Sequence, residues 1–158
     1  MTPPDGSMLW NSLKEIMKEA FEGPPGSGSW FTESKPDSGL FGTLKNLSAE
    51  DASRPVPTSE APIAAHVDHI RYYIAGANSF LRGEKTELDW NLSWKIRRVD
   101  EETWQNLLRE LRKEYETFME RMDQVKEWDP YKTNILLGTL AHTAYHLGSL
   151  RQMVRSLP

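Results

Sequence analysis

Apolar residues recur at intervals of three and four along four segments of the chain, a spacing that gathers them on one face of an α-helix. No segment shows the alternation that is typical of a β-strand. The pattern therefore predicts an all-α protein, built as a four-helix bundle. The predicted helices run from Leu9 to Phe21, from Thr58 or Ser59 to Leu81, from Asp100 to Asp129, and from Thr133 to Ser156.

Helix-ending and helix-capping residues stand at the edges of these segments. Gly23-Pro24-Pro25 ends the first helix, and Gly83 follows the second, whose first turn tolerates Pro62. Asp100 is a good N-cap for the third helix. We expect this helix to end at Asp129, because the residue before Pro130 is driven out of the helical region.

The connection between the first two predicted helices, residues 26–57, is rich in Gly, Ser and Pro but also carries large apolar residues. Trp30 and Phe31 are two of them, and we expect this long loop to pack over the body of the protein and to cover a functional site. Ser48 is expected to cap a short helical turn. The length of 158 residues is typical of one domain, so residues 1–158 are predicted to form a single domain.

The fourth predicted helix has no Asp, Glu, Lys or Arg between Lys132 and Arg151. It therefore lacks the charged face that a surface helix normally presents to water. Leu136, Leu140, Ala144, Leu147 and Leu150 form one side, and Ile135, His142, His146 and Met153 form the other. Because both sides need cover, we predict an interface on this helix and a homodimer.

The composition argues against several classes of function. Charged residues make up 27% and hydrophobic residues 38% of the chain, as in an ordinary globular protein, and the net charge is −4. An acidic chain is a poor partner for phosphate, so nucleic acid is not expected as a partner. No apolar segment is long enough to cross a bilayer, and the N-terminal residues do not resemble a secretory signal, so we expect a cytoplasmic protein without a membrane partner.

All four histidines fall in two short clusters, AAHVDHIRYY and AHTAYHLG, each on a predicted helix. His142 and His146 are four residues apart, so their imidazoles lie on one helical face and can converge on a single ion. His66 and His69 are three apart on the second helix, and either of them can complete a set of three nitrogen ligands across a bundle. Since the chain contains no cysteine, any metal must be held by nitrogen and oxygen.

Three neutral imidazoles would leave a divalent ion with its full charge and at least one open position, which is the arrangement of a Lewis-acid catalyst. The alternative is that the four histidines are packed, hydrogen-bonded residues without a metal, which is a common use of histidine. A zincin helix is excluded, because Thr143 stands where that motif needs its glutamate base. From the residues alone, both interpretations stay open.

Four segments resemble the DinB/YfiT-like superfamily of bacterial stress-associated four-helix proteins. They are GTLKNLSAEDAS, PIAAHVDHIRYYIAGANSFLRG, WNLSWKIRRVDEETW and HTAYHLGSLRQM, of which the last is the most specific. The resemblance implies a divalent metal held by one histidine of the second helix and two residues four apart on the fourth. It thereby implies His69, His142 and His146 as ligands. His69 ranks above His66, which is then either an alternative ligand or a residue that contacts a ligand.

The resemblance also implies a reaction class, a thiol-dependent transferase or a hydrolase with zinc or nickel and, for transfer, a low-molecular-weight thiol. Tyr73 and Tyr145 are candidates for contacting the substrate, and Asp68 and Arg71 are further polar candidates. A second hypothesis is a non-catalytic, metal-stabilised helical dimer that binds a partner or a small ligand. The second hypothesis explains the uncharged helix equally well, and the sequence shows no obvious general base.

Overall fold

The structure is a computed structural model that describes residues 6–26 and 28–158. The described residues form no β-strand, only a single bridge between Val56 and Ser59. The predicted all-α class is therefore confirmed. The helices are α1 (Gly6–Glu22), α2 (Leu40–Leu44), α3 (Ala49–Ser53), α4 (Ile63–Leu81), α5 (Glu101–Gln124) and α6 (Pro130–Arg155), with short 3₁₀ turns at Pro36–Ser38 and Trp90–Trp94.

The chain divides into two compact units, residues 1–46 and residues 47–158. The first unit contains α1, the first 3₁₀ turn and α2. The second unit contains α3 to α6 and the second 3₁₀ turn, and all four histidines belong to it.

In the first unit, a buried carboxylate organises the chain that follows α1. The Glu19 side chain is fully buried and accepts hydrogen bonds from the backbone N–H groups of Trp30, Phe31 and Thr32 at 2.7, 3.1 and 2.9 Å. The Thr32 hydroxyl donates to the same carboxylate at 2.7 Å. The Trp30 and Phe31 side chains are 68% and 43% exposed, so neither ring belongs to the core of the first unit. Their predicted role as a cover for the functional site stays a prediction.

The long connection is more structured than its composition indicates. Leu40 and Leu44 are buried and belong to α2, a helix that the apolar pattern did not predict. The expected cap at Ser48 is confirmed, since its hydroxyl accepts from the Asp51 N–H and the Asp51 side chain accepts from the Ser48 N–H. This reciprocal pair is a capping box.

Several predicted helix limits need correction. The second predicted helix, α4, begins at Ile63 instead of Thr58 or Ser59, because Pro62 has an extended backbone and serves as the N-cap. The third, α5, begins after Asp100 as predicted but ends at Gln124, before Asp129. Asp129 instead caps α6 by accepting from the Lys132 N–H at 2.8 Å, so the fourth helix starts at Pro130.

Helix α4 is the centre of the second unit and packs against both α5 and α6. Every residue from Ile63 to Ile70 is buried, including His66, Asp68 and His69. A helix that is enclosed on all sides has no single apolar face. Its polar residues consequently must find their partners inside the protein.

Helix α6 has a buried side and an exposed, uncharged side. Leu136, Leu147 and Leu150 are buried, as are His146 and Met153 from the opposite predicted sector. The exposed residues fall between these sectors and include Leu137, at 48% exposed, and Tyr145, at 74%. Asn134, Ala141, Gly148 and Gln152 continue the same exposed stripe. None of the described helices is both long enough and apolar enough to cross a membrane.

Candidate metal centre

The four histidine side chains meet between α4 and α6. His66, His69 and His146 are 9%, 8% and 6% exposed, and His142 is half-buried. The centroids of the His69, His142 and His146 rings lie between 4.4 and 4.9 Å from one another. The predicted meeting of imidazoles from two helices is thus present in the structure.

Three of these imidazoles can bind one ion together. His69, His142 and His146 each offer a ring nitrogen, and the three nitrogens lie within 4.8 Å of one another. Within this set, His69 Nε2 and His142 Nε2 are 2.9 Å apart. Two nitrogens on a tetrahedral zinc ion stand about 3.4 Å apart, given Zn–N bonds of ~2.1 Å. The pair therefore needs to separate by only a few tenths of an ångström to accept an ion.

His66 lies beside this three-histidine group and contacts one of its members. Its Nδ1 atom is 3.4 Å from Nδ1 of His146, and its Nε2 atom is 2.9 Å from the Ser59 hydroxyl. If the His66 proton is on Nε2 and points to Ser59, Nδ1 can accept a hydrogen bond from His146. His146 is then oriented with its Nε2 lone pair free for a metal. His66 thus contacts the proposed ligand His146 from the side away from the ion.

Ser93 lies behind His69. Its hydroxyl oxygen is 2.8 Å from His69 Nδ1 and 2.8 Å from the carbonyl oxygen of Trp90. Ser93 is completely buried, so water does not compete for these contacts. His69 and His66 thus each use one nitrogen for a serine hydroxyl.

Aromatic rings cover the faces of two of the three imidazoles. The Trp94 ring stacks on His69 with a centroid distance of 4.2 Å and an interplanar angle of 21°. Tyr73 stacks on His142 at 3.8 Å and 13°. These rings restrict the orientation of both imidazoles and keep water away from their faces.

Burial lowers the pKa of every imidazole in the cluster. Desolvation is the main cause in each case, and positive charge on a neighbouring imidazole adds to it for His69, His142 and His146. The pKa falls to about 3 for His142 and to about 4 for His146. Asp68 opposes the shift at His69 without reversing it. The rings are consequently neutral at neutral pH, the form that binds a metal.

One buried atom of the group lacks a hydrogen bond. His142 Nδ1 has no partner among the described residues, although it is screened from solvent. A buried ring nitrogen without a partner is unfavourable whether or not an ion binds at Nε2, so this atom does not distinguish a metal centre from packed histidines. Three neutral imidazoles, with two ring nitrogens that face each other, fit a metal centre.

The other polar candidates have different positions. Asp68 accepts from Arg71 Nε at 2.9 Å and from its terminal nitrogen at 2.7 Å, so each of these residues is occupied by the other. Tyr145 lies at the exposed edge, with its ring 5.2 Å from that of His146. Burial raises the pKa of Tyr73, so its phenol stays protonated.

A small cavity adjoins the centre on the Tyr73 side. Its volume is about 90 Å³, and it lies between α4, α6 and the residues that lead into the second 3₁₀ turn. Tyr73 and Trp90 separate it from the imidazoles of His142 and His69. It is lined by Tyr73, Ala77, Phe80, Leu88, Trp90, Tyr131 and Ile135.

Sequence reasoning missed the roles of Ser93 and Trp94. The available signal was the segment WNLSW, which groups two aromatic residues with a buried serine. Nothing local in that segment indicates that it contacts a histidine 24 residues earlier.

Comparison with known proteins identifies no relative, since no family model matches the chain and neither a curated protein nor a solved structure matches it significantly.

Proposed function

We propose that this protein binds one divalent metal ion through His69, His142 and His146 and that it is a metal-dependent enzyme of the thiol-transfer or hydrolytic type. The proposal rests on the convergence of these three imidazoles from α4 and α6, with ligand nitrogens within 4.8 Å. Their neutral state and the rings stacked on two of them support it.

Zinc and nickel are the ions that we propose. Imidazole suits both, whereas magnesium and calcium prefer oxygen ligands. The three residues supply nitrogen only, and the chain has no cysteine that would favour a thiolate-bound ion. A three-nitrogen set also differs from structural zinc sites, which normally use four protein ligands.

A divalent ion held by three neutral imidazoles supplies Lewis acidity that lowers the pKa of a water or thiol at an open position. The residues of this chain hold and shield the reacting groups. Trp94 and Tyr73 cover the faces of His69 and His142, and the half-buried His142 and exposed Tyr145 mark the side from which a substrate enters.

In the transfer reaction that we propose, a low-molecular-weight thiol is the second reactant. Its sulfur forms a bond to an electrophilic carbon of the substrate, the leaving group departs with the bonding pair, and the thiol proton passes to solvent.

Membership of the DinB/YfiT-like superfamily and its four-helix bundle are part of the same proposal. The support is the quoted sequence segments together with the arrangement of one histidine on α4 and two, four residues apart, on α6.

The metal proposal is tested by metal analysis of protein purified without an affinity tag. We expect about one zinc or nickel ion per chain and its loss in His69→Ala, His142→Ala and His146→Ala. His66→Ala is the matched control, because it removes an imidazole from the same helix as His69 but not from the three-histidine group. Retention of metal by His69→Ala together with loss by His66→Ala would show that the ligand set is wrong.

The reaction is tested separately with metal-loaded protein. Loss of an aryl or alkyl electrophile is followed with and without a thiol, and ester hydrolysis is followed in parallel. The proposal expects turnover that disappears in His142→Ala and returns in wild-type protein when metal is restored after chelation. Full metal occupancy without turnover in either assay favours a non-catalytic role.

A second candidate is a metal-stabilised homodimer that binds a partner or small ligand without catalysis. The uncharged exposed stripe on α6, which includes Leu137, Ala141 and Tyr145, favours a second copy as its cover, since two copies can approach there without charge repulsion. Sedimentation measures the mass, and Leu137→Glu is expected to shift a dimer toward monomer. Gln124→Glu is the control, because it places the same charge on an exposed position of α5.

A further inference from the structure

We propose that Ser93 is a positioning residue of the metal centre, which fixes the tautomer of His69 so that the Nε2 lone pair faces the ion. The inference rests on the proposed metal-binding function. It concerns the His69 ring itself, however, and the tautomer exists whether or not a metal is bound.

The hydrogen-bond chain around Ser93 allows one arrangement of protons. The Trp90 carbonyl oxygen can only accept, so the single hydroxyl hydrogen of Ser93 is donated to it at 2.8 Å. The contact of 2.8 Å between Ser93 Oγ and His69 Nδ1 then needs a hydrogen on the imidazole. His69 is therefore protonated on Nδ1, and its Nε2 atom carries the lone pair.

That lone pair points to the other ligands. His69 Nε2 lies 2.9 Å from His142 Nε2, so a proton on His142 Nε2 can hold the pair together in the metal-free protein. A divalent ion would take the place of this proton, which would move to the other ring nitrogen of His142, Nδ1. Without Ser93, the His69 Nδ1–H would lose its buried acceptor, and the tautomer with hydrogen on Nε2 would become competitive.

The position of Ser93 is set by its own turn, independently of any ion. In this 3₁₀ turn, Asp89 caps the start by accepting from the Asn91 N–H at 3.0 Å. The Asp89 N–H donates to the Tyr72 hydroxyl at 3.1 Å, which ties the turn to α4. The same turn brings Trp94 onto the face of His69. One short segment thus holds the His69 ring both by its edge and by its face.

The matched pair of variants is Ser93→Ala and Ser59→Ala. Each removes one serine hydroxyl that contacts a histidine of α4, but Ser59 contacts His66, which lies outside the three-histidine group. Ring ¹⁵N chemical shifts of the metal-free protein at pH 7 report the tautomer of each histidine. Chelator competition reports the affinity for zinc.

We expect wild-type His69 to carry its hydrogen on Nδ1 and Ser93→Ala to lose this preference, with a fall in zinc affinity of about 10- to 100-fold. Ser59→Ala should leave the His69 tautomer unchanged. Ser93→Cys keeps the shape and a weak acceptor, so it should lie between wild type and Ser93→Ala. It also tests the inference if Ser93→Ala does not fold.

Two results would overturn the inference. One is a wild-type His69 protonated on Nε2 in the metal-free protein, and the other is a Ser93→Ala protein with unchanged tautomer and affinity. Failure of every variant and of wild type to bind zinc refutes the proposed function instead. In that case the ring shifts still decide whether Ser93 sets the tautomer.

Discussion

Metal binding should release almost no protons from His142 and His146 at pH 6, and this prediction follows from the burial of these two ligands. Burial brings the pKa of His142 to about 3 and that of His146 to about 4. Both imidazoles are thus already deprotonated at pH 6, and an incoming ion does not have to displace a proton from them.

A comparison with exposed histidines shows how large the difference in released protons should be. An imidazole with the ordinary pKa of about 6.5 is roughly three-quarters protonated at pH 6, so two of them would release about 1.5 protons per ion. With pKa values near 3 and 4, the release is about 0.01 proton. Between pH 7.5 and 5.5, the affinity of the ordinary pair would fall about 100-fold, whereas that of the buried pair would change by less than about 10%.

Titration calorimetry in two buffers of different ionisation enthalpy measures the released protons directly. The metal-free protein is titrated with zinc at pH 6, and the dependence of the apparent enthalpy on buffer gives the proton number. His66→Ala serves as a control, because it removes a nearby titratable ring without removing a proposed ligand. A release near 1.5 protons would refute the reasoning, since it would mean that the ligands are protonated and solvent-exposed before binding.

Three further predictions concern stability and spectroscopy. The pKa values of His142 and His146 are lower in the folded protein, so the unfolded chain binds protons first as pH falls. The free energy of unfolding of the metal-free protein, measured with denaturant, should therefore decrease as pH falls from about 6.5 through 4. A constant value over this range would contradict the burial of these rings. Nickel should quench tryptophan fluorescence. Trp94→Phe should remove a large part of this quenching, because the Trp94 ring lies 4.2 Å from that of His69. Equal quenching in wild type and Trp94→Phe would place the ion elsewhere. Glu19→Ala should lower the free energy of unfolding by roughly 1–3 kcal/mol, because it leaves buried N–H groups without an acceptor. Glu22→Ala, at an exposed position of the same helix, is the control. Equal losses of stability in the two variants would contradict the role of Glu19.

Helical periodicity predicted the long helices well where one face is buried and one is solvated. Helix α5 is the clearest case, since Trp104, Leu111 and Phe118 recur at intervals of seven and are all buried. Its N-cap at Asp100 was readable because a capping carboxylate acts on its own next turn, accepting from Thr103 at 2.8 Å.

The spacing of apolar residues was less informative about which side chains of α4 form the site. Because all residues from Ile63 to Ile70 are buried, burial does not distinguish His66 from His69. The distinction depends on α6 and on the 3₁₀ turn, which contact the two rings differently. Such long-range contacts leave no mark on the local pattern, and Ser93 was missed for the same reason.

The start of α4 and the start of α6 were misplaced for local reasons. Ser59 is a residue type that favours the N-cap, but its hydroxyl contacts His66 and accepts from the Ala61 N–H at 3.2 Å. The helix begins only after Pro62. Asp129 was read as the end of one helix, although Asp-Pro is equally a start, with Asp as the cap and Pro130 in the first turn.

Anomalous X-ray scattering from crystals of the metal-loaded protein, collected at the absorption edge of zinc or nickel, tests the central claim most directly. The account predicts one strong peak between α4 and α6, about 2.1 Å from one ring nitrogen each of His69, His142 and His146. A fully loaded protein with its peak elsewhere, or coordinated by His66 in place of His69, would contradict it.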